Sequence, residues 1–165
     1  MARIWRFGDN INTDQIIPGR YNVTTDRARL AQHCLCEHRP DFAAEVAPGD
    51  VLVAGRNFGC GSSREHAAVA LQATGIACIV AVSYARIFYR NAINIGLPIF
   101  VAPDAAAALR DGASVEVDIA TGELRDLTTH QNYQAEPLPE FVQRIVAAGG
   151  IIELVRRQGS LAIES

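Results

Sequence analysis

The segment Ala54–Ala67 constrains the fold more than any other part of this 165-residue sequence. It follows the apolar run Val51–Val53 and contains three glycines, at positions 55, 59 and 61. Only glycine adopts positive φ freely and lets a ligand approach the backbone closely. The pattern therefore predicts a buried strand that ends in a tight, ligand-accessible loop and leads into a helix.

The helix after this loop is predicted over Glu65–Thr74, ending at the glycine that follows. Ser62 or Ser63 is expected to cap it, since a serine oxygen accepts an unpaired N–H of the first turn. Helix N-termini attract anions, and Arg64 adds a planar fork that fits a carboxylate. A hydroxyl among such donors loses its proton more readily than in water. These residues favour a carboxylate site; the alternative is that the serines only cap and Arg64 only makes a surface ion pair.

The composition narrows the class of protein. With 49% hydrophobic and 20% charged residues, the chain is expected to form one domain over residues 1–165. The net charge of −3 gives no electrostatic reason to expect nucleic acid or an anionic membrane as a partner. Its apolar runs are shorter than the ~20 residues of a membrane span, and the N-terminus lacks a secretory apolar core. We therefore expect a cytoplasmic protein.

All 15 basic residues are arginine. The lack of lysine excludes Schiff-base chemistry, a pyridoxal-phosphate lysine and the lysine of a phosphate-binding loop. Enzymes that depend on a catalytic or phosphate-binding lysine are therefore excluded as candidates for this chain.

The spacing of the four cysteines matches neither a zinc ribbon nor an iron–sulfur cysteine run. On a helix predicted over Arg27–His38, Cys34 and His38 would share one face, with His33 and Cys36 on another. Helix surface and partial core are favoured there over a metal site, and Cys60 is interpreted as a loop-packing residue. No metal is therefore expected on this chain.

Hydrophobic periodicity predicts an α/β fold. Strands are predicted over residues 3–7, 50–54, 76–81, 97–101, 115–119 and 123–127, with further helices over 84–94 and 140–148. Strand, helix and strand in succession make a right-handed parallel crossover. The hairpin around Thr121-Gly122 is expected to lie on a different layer from the parallel strands.

The segment Gly59–Ala67 resembles the signature of the swivelling domain of the aconitase superfamily. Phe7–Pro18 and Tyr84–Pro98 support this resemblance, and the three motifs occur in the expected order. The chain as a whole resembles the small subunits of isopropylmalate dehydratases. The resemblance implies a single β/β/α swivelling domain like the aconitase C-terminal domain.

The resemblance also implies a hydro-lyase of leucine biosynthesis that interconverts 2-isopropylmalate and 3-isopropylmalate. In that family a [4Fe-4S] cluster on a large subunit acts as a Lewis acid, and this chain is expected to bind no cofactor. Ser62 matches the catalytic base, and Ser63 and Arg64 match positions that bind a substrate carboxylate. A heterodimer or a dimer of heterodimers is implied, with this chain as a lid and Arg86–Arg90 as a candidate contact. An ordinary amphipathic helix is the alternative for that segment.

In the same family, the loop at residues 19–26 reaches toward the side group of the substrate. The expected substrate-binding residues here are Arg20, Tyr21, Asn22, Val23 and Thr24. Homoaconitase-like relatives tend to carry an arginine just past the tyrosine, whereas the short, partly apolar residues 22–24 favour an isopropyl group over a third carboxylate. Arg20 is close in sequence and would partly restore a carboxylate site. A small subunit of homoaconitase or of 2,3-dimethylmalate dehydratase remains open, as does a non-catalytic interaction module of the same fold.

Overall fold

The structure, a computed structural model, describes residues 2–21, 23–62 and 64–164, with residues 158–164 as backbone only. The strands are β1 (Ala2–Arg6), β2 (Val51–Ala54), β3 (Cys78–Ala81), β4 (Ile99–Val101), β5 (Ser114–Asp118), β6 (Glu123–Asp126) and β7 (Asn132–Gln134). The helices are α1 (Thr13–Ile16), α2 (Arg27–Gln32), α3 (Pro40–Glu45), α4 (His66–Ala73), α5 (Arg86–Asn94), α6 (Pro103–Ala108), α7 (Glu140–Ala148) and α8 (Ile151–Glu164). A short 3-10 turn covers Gly19–Tyr21.

The strands form one sheet in the order β4-β3-β2-β1-β5-β6-β7. Strands β1 to β4 are parallel, and β5 to β7 are antiparallel. β1 joins the two halves, because Ile4 lies opposite Val51 on one side and Ala2 lies opposite Val115 on the other. The hairpin is therefore joined to the parallel unit through β1, and its Val115 and Leu124 pack in one core cluster with Val51 and Val53 of β2. Because β2, β3 and β4 all lie on one side of β1, its other edge is free to pair with β5.

The parallel strands are buried on both faces, which explains their nearly continuous apolar sequences. Successive side chains of a strand point to opposite faces, so Trp5 and Leu52 belong to one core cluster and Ile4 and Val51 to another. The first cluster includes residues of α2 to α5, α7 and α8, and the second includes residues of α6, β5 and β6. This mixed α/β arrangement confirms the predicted fold class.

The helix predicted over Arg27–His38 is wrong in its second half, since α2 ends at Gln32. Leu35 has φ +57° and is completely buried, and its N–H donates to the Ile16 carbonyl oxygen at 2.7 Å. A left-handed residue interrupts the helical hydrogen-bond pattern, and the docking on α1 overrides the helix propensity of the segment. The shared face expected for Cys34 and His38 therefore does not exist.

The paired glycines after α7 separate two helices. Gly149 has φ +87° and ends α7, as predicted, but α8 starts at Ile151, where no helix was predicted. A left-handed glycine ends a helix without preventing the start of another. Within the described residues, no helix is both long and apolar enough to cross a membrane.

Arg39 ties the region before α3 to the turn before β5. Its guanidinium donates to both carboxylate oxygens of Asp111, at 2.8 and 2.9 Å, and lies 4.6 Å from the centroid of the Trp5 ring. These hydrogen bonds lower the pKa of Asp111. A carboxylate with a lowered pKa in the folded state stabilises the fold above its unfolded pKa, and this stabilisation is lost as the pH falls through the folded pKa.

We expect Asp111→Asn to lower the free energy of unfolding by about 1 kcal/mol or less at pH 7, since the pair is partly exposed. The difference from wild type should shrink below about pH 4, where the unfolded carboxyl already binds a proton. Urea unfolding at pH 7 and pH 3 measures both values. Asp41→Asn is the control, because Asp41 lies 3.4 Å from Nε of the same arginine without the two-bond geometry. A difference that grows on acidification would contradict the account.

Candidate active site

The three motifs that carry the resemblance meet at one edge of the sheet. Strands β1, β2 and β3 are parallel, so their carboxyl ends lie side by side. The N-terminal motif follows β1, the glycine-rich signature follows β2, and the third motif follows β3. In open α/β sheets, ligands bind outside the carboxyl ends of the strands. This edge is therefore the candidate active site.

The N-terminal motif is hydrogen-bonded along the signature loop. The N–H of Gly59 donates to the carbonyl of Ile11 at 2.7 Å, and the N–H of Thr13 donates to the carbonyl of Cys60 at 2.8 Å. Further along, the Arg56 N–H donates to Oδ1 of Asp9 at 2.7 Å. The two loops thus behave as one surface.

The third motif supports the signature loop from the other side. The Phe58 N–H donates to the carbonyl of Ser83 at 3.1 Å, and the Ala85 N–H donates back to the carbonyl of Phe58 at 2.9 Å. The Phe58 ring also packs edge-on against Phe88 of α5, with centroids 5.3 Å apart. The loop is therefore fixed to both neighbouring strand ends.

The signature glycines serve two different purposes. Gly59 and Gly61 have φ of +82° and +97°, as predicted for a tight loop. Gly55 does not have positive φ, but a Cβ there would lie 1.8 Å from Oδ1 of Asp9. Gly59 combines both requirements, since its Cβ would lie 2.2 Å from Cγ of Phe88. Glycine at 55 is thus explained by close packing of the two loops.

Ser62 lies exposed at this edge. Its carbonyl oxygen accepts a hydrogen bond from Oγ1 of Thr13 at 3.2 Å, which attaches the residue to the beginning of α1. Helix α4 starts only at His66, with Glu65 at the N-cap position and no side-chain capping bond. Ser62 or Ser63 was expected to cap this helix; the N-cap position is held by Glu65 and not by Ser62, and Ser63 lies outside the described residues. Because Ser62 is exposed and does not cap α4, its side chain is accessible to a substrate.

Arg64 is held by a residue that the sequence analysis missed. Its Nη1 lies 3.5 Å from Oδ1 of Asp14, and the same oxygen accepts a hydrogen bond from the Gly19 N–H at 3.1 Å. Asp14 lies in the first turn of α1, which Asn12 and Gln15 close with a reciprocal capping box. An acidic residue two positions after an N-cap asparagine was the available signal. Arg64 is thus oriented by the N-terminal motif.

The predicted substrate loop is only partly directed toward this edge. Val23 is 92% exposed, and Oγ1 of Thr24 accepts a hydrogen bond from the Asp26 N–H at 3.1 Å. Arg20 forms an ion pair with Glu37, and its guanidinium carbon lies 4.7 Å from the centroid of the Tyr21 ring. Asn22 lies outside the described residues. The structure brings Ser62 and Arg64 together along one loop and places Arg20 against the turn that follows α2.

A cleft of about 350 Å³ borders this edge of the sheet. Another cleft, of about 430 Å³, lies on β5 and β6, away from the candidate active site. The cleft that borders this edge has the end of the substrate loop and α2 on one side, and the start of α4 on the other. It is lined by Thr25, Arg27, Leu30, Glu65, His66 and Val69. The end of the predicted substrate loop and the start of α4 therefore lie beside each other.

The cysteines do not form a metal site. Cys34 and Cys78 are completely buried, and burial raises the pKa of the Cys78 thiol to about 12 and raises that of Cys34 as well. Across the described part of the chain, no group of three or more His, Cys, Asp or Glu residues could hold a metal ion. These residues do not fit an iron–sulfur cluster, which needs several accessible thiolates.

The aconitase C-terminal domain family model matches residues 5–103, which include all three motifs. The chain belongs to the aconitase C-terminal domain family. It is 55% identical to 3-isopropylmalate dehydratase small subunit 1 of Methanopyrus kandleri, over 99% of this chain and 96% of that protein. It is 49% identical to the 2,3-dimethylmalate dehydratase small subunit of Eubacterium barkeri, over 92% of this chain and 93% of that protein.

The fold of this family member agrees with a solved structure. The crystal structure of 3-isopropylmalate dehydratase from Methanocaldococcus jannaschii superposes with a TM-score of 0.92 and 40% identity, covering 99% of this chain and 96% of that one. The relatives are small subunits of hydro-lyases, so this chain is an enzyme subunit of that kind. A large partner subunit is implied, and the iron–sulfur cluster of the family belongs to that partner.

Proposed function

We propose that this chain is the small subunit of a 3-isopropylmalate dehydratase, forming one half of an active site that interconverts 2-isopropylmalate and 3-isopropylmalate. The observation that carries the proposal is the meeting of Ser62 and Arg64 on an exposed edge built by all three motifs. The 55% identity over nearly the whole chain supports this substrate class. As one domain over residues 1–165, it would assemble in the cytoplasm as a heterodimer or a dimer of heterodimers.

In this proposal Ser62 is the base. Dehydration removes a proton from the carbon beside a carboxylate and a hydroxide from the neighbouring carbon, and rehydration adds both back with their positions exchanged. Ser62, as its alkoxide, takes the proton and later returns it to the other carbon. Hydrogen-bond donors around such a hydroxyl would favour its charged form. The partner's cluster, when present, supplies the Lewis acid for the hydroxyl.

Arg64 and Ser63 are proposed to bind a substrate carboxylate. A guanidinium presents parallel N–H donors that match the two oxygens of a carboxylate. Arg64 is oriented for this by Asp14, whose own position is fixed in the first turn of α1. The chain thus contributes a proton acceptor and an anchor, while the acid for the leaving group comes from the large subunit.

A substrate panel tests the proposal. The chain is combined anaerobically with its large subunit, and kcat/KM is measured for 3-isopropylmalate, 2,3-dimethylmalate and homoaconitate. We expect the highest value for 3-isopropylmalate. A clear preference for either other substrate would contradict the assignment. The dimethylmalate enzyme is the second candidate, because its small subunit is 49% identical to this chain over 92% of this chain.

The residues of the loop offer a test of specificity. Val23 is 92% exposed, so it is available to a substrate held between the subunits. Val23→Arg should lower kcat/KM for 3-isopropylmalate, because it sets an unpaired charge against a hydrocarbon group. The new guanidinium should pair with the extra carboxylate of homoaconitate, and this pairing should raise the activity on homoaconitate relative to 3-isopropylmalate. We expect the ratio of the two kcat/KM values to change at least about tenfold.

Val155→Arg is the matched control, since Val155 is 62% exposed on α8. It should leave the ratio of the two kcat/KM values unchanged. Equal effects of Val23→Arg on both substrates would mean that the loop does not recognise the side group.

A further inference from the structure

The turn after α2 holds the 3-10 turn at Gly19–Tyr21 by two separate contacts. The rings of Tyr21 and His33 are stacked, with centroids 3.8 Å apart and planes within 5°. Beside them, the Arg20 guanidinium forms an ion pair with Glu37 and also lies over the Tyr21 ring. We call Arg20, Tyr21, His33 and Glu37 the loop clamp.

The half of the loop clamp that carries His33 and Glu37 is itself firmly seated. Leu35, between them, is completely buried in a left-handed conformation that leucine rarely adopts. Its N–H donates to the Ile16 carbonyl and its carbonyl accepts from the Arg39 N–H, both at 2.7 Å. Such a conformation persists only where the surroundings determine it. The turn is therefore a fixed support for the loop.

The loop clamp connects to the candidate active site through Gly19. The Gly19 N–H donates to Oδ1 of Asp14, the oxygen that also lies 3.5 Å from Nη1 of Arg64. A Cβ on Gly19 would lie 3.2 Å from that same Nη1, so the loop backbone is packed directly against the guanidinium. Any displacement of this turn would therefore move both the support of Arg64 and the start of the substrate loop.

We propose that His33 and Glu37 are positioning residues, which hold residues 19–21 so that Arg64 meets the substrate carboxylate and the following loop meets its side group. Neither residue touches the reacting atoms in this account. Their effect should therefore appear in KM and in discrimination between substrates rather than in kcat. This inference rests on the proposed function.

The test uses His33→Ala and Glu37→Gln in the complex reconstituted with the large subunit. Each should raise KM for 3-isopropylmalate about 2- to 10-fold, with kcat changed less than about twofold, because His33→Ala removes the stacking on Tyr21 and Glu37→Gln removes the ion pair with Arg20. His33→Phe keeps a ring against Tyr21 and should restore KM. Glu45→Gln is the control for Glu37→Gln, because it breaks a similarly exposed ion pair, with Arg3 at 3.6 Å.

A second readout does not depend on the reaction. Amide hydrogen exchange of the isolated chain should become faster at Gly19–Tyr21 in His33→Ala and stay at the wild-type rate in His33→Phe and Glu45→Gln. Unchanged exchange in His33→Ala would overturn the loop clamp, whatever the substrate proves to be. Faster exchange with an unchanged KM in an active complex would overturn the positioning role. A complex that turns over no isopropylmalate contradicts the proposed function, and exchange alone then decides the loop clamp.

Discussion

Replacing Ser62 with alanine is expected to lower kcat of the reconstituted complex by about 10²–10⁴-fold, the usual contribution of a general base. The residue is exposed at the edge where the three motifs meet, and its side chain does not cap α4. Loss of its hydroxyl should therefore leave folding and subunit association unchanged. The affinity for substrate should also change little, because the carboxylate anchor at Arg64 is retained.

The matched control is Ser114→Ala, the same chemical change on β5, in the antiparallel half of the sheet. It should turn over substrate at the wild-type rate. Steady-state kinetics, with gel filtration of each complex to verify assembly, separates a catalytic defect from a failure to associate. A kcat for Ser62→Ala within a few fold of wild type would remove Ser62 from the role of base.

Gly59→Ala is expected to destabilise the chain by about 3 kcal/mol, the sum of a left-handed alanine and an overpacked contact. Its φ is +82°, and the added Cβ would lie 2.2 Å from Cγ and 2.4 Å from Cβ of Phe88. The Phe88 side chain is buried against Phe58, so it has little room to move away. The variant should also lose activity, because the loop that carries Ser62 must shift.

Gly112→Ala isolates the two causes. Gly112 has nearly the same backbone, with φ +80°, but no atom lies within 4 Å of its added Cβ. It should therefore show only the backbone cost, about 1–2 kcal/mol. Chemical denaturation measures both free energies of unfolding. Equal losses at the two glycines would show that packing against Phe88 contributes nothing to the requirement for glycine at position 59.

The strand, loop and helix around the signature could be predicted because each is determined locally. The apolar residues of β2 are followed by left-handed glycines, and the helix predicted from Glu65 begins one residue later, at His66. Helix α5 and the hairpin at Gly122 follow from equally local patterns. Recognition of the family also depended on such contiguous motifs.

Long-range contacts explain what the sequence analysis missed. The end of α2 at Gln32 depends on the docking of Leu35 against Ile16, and the pairing of β5 with β1 joins residues more than a hundred positions apart. Asp14 acquires its role only because the loop after β2 brings Arg64 to it. The substrate loop was predicted from resemblance, and its attachment to His33 was not foreseen because α2 separates Tyr21 from His33 in the chain.

The central claim is that this chain completes an active site whose other half lies on the large subunit. Titrating the chain into a fixed amount of iron–sulfur large subunit, with 3-isopropylmalate as substrate, tests it most directly. Neither component alone should be active, and activity should rise to a plateau at one copy of this chain per large subunit. Full activity of the large subunit without this chain, or activity of this chain alone, would contradict the claim.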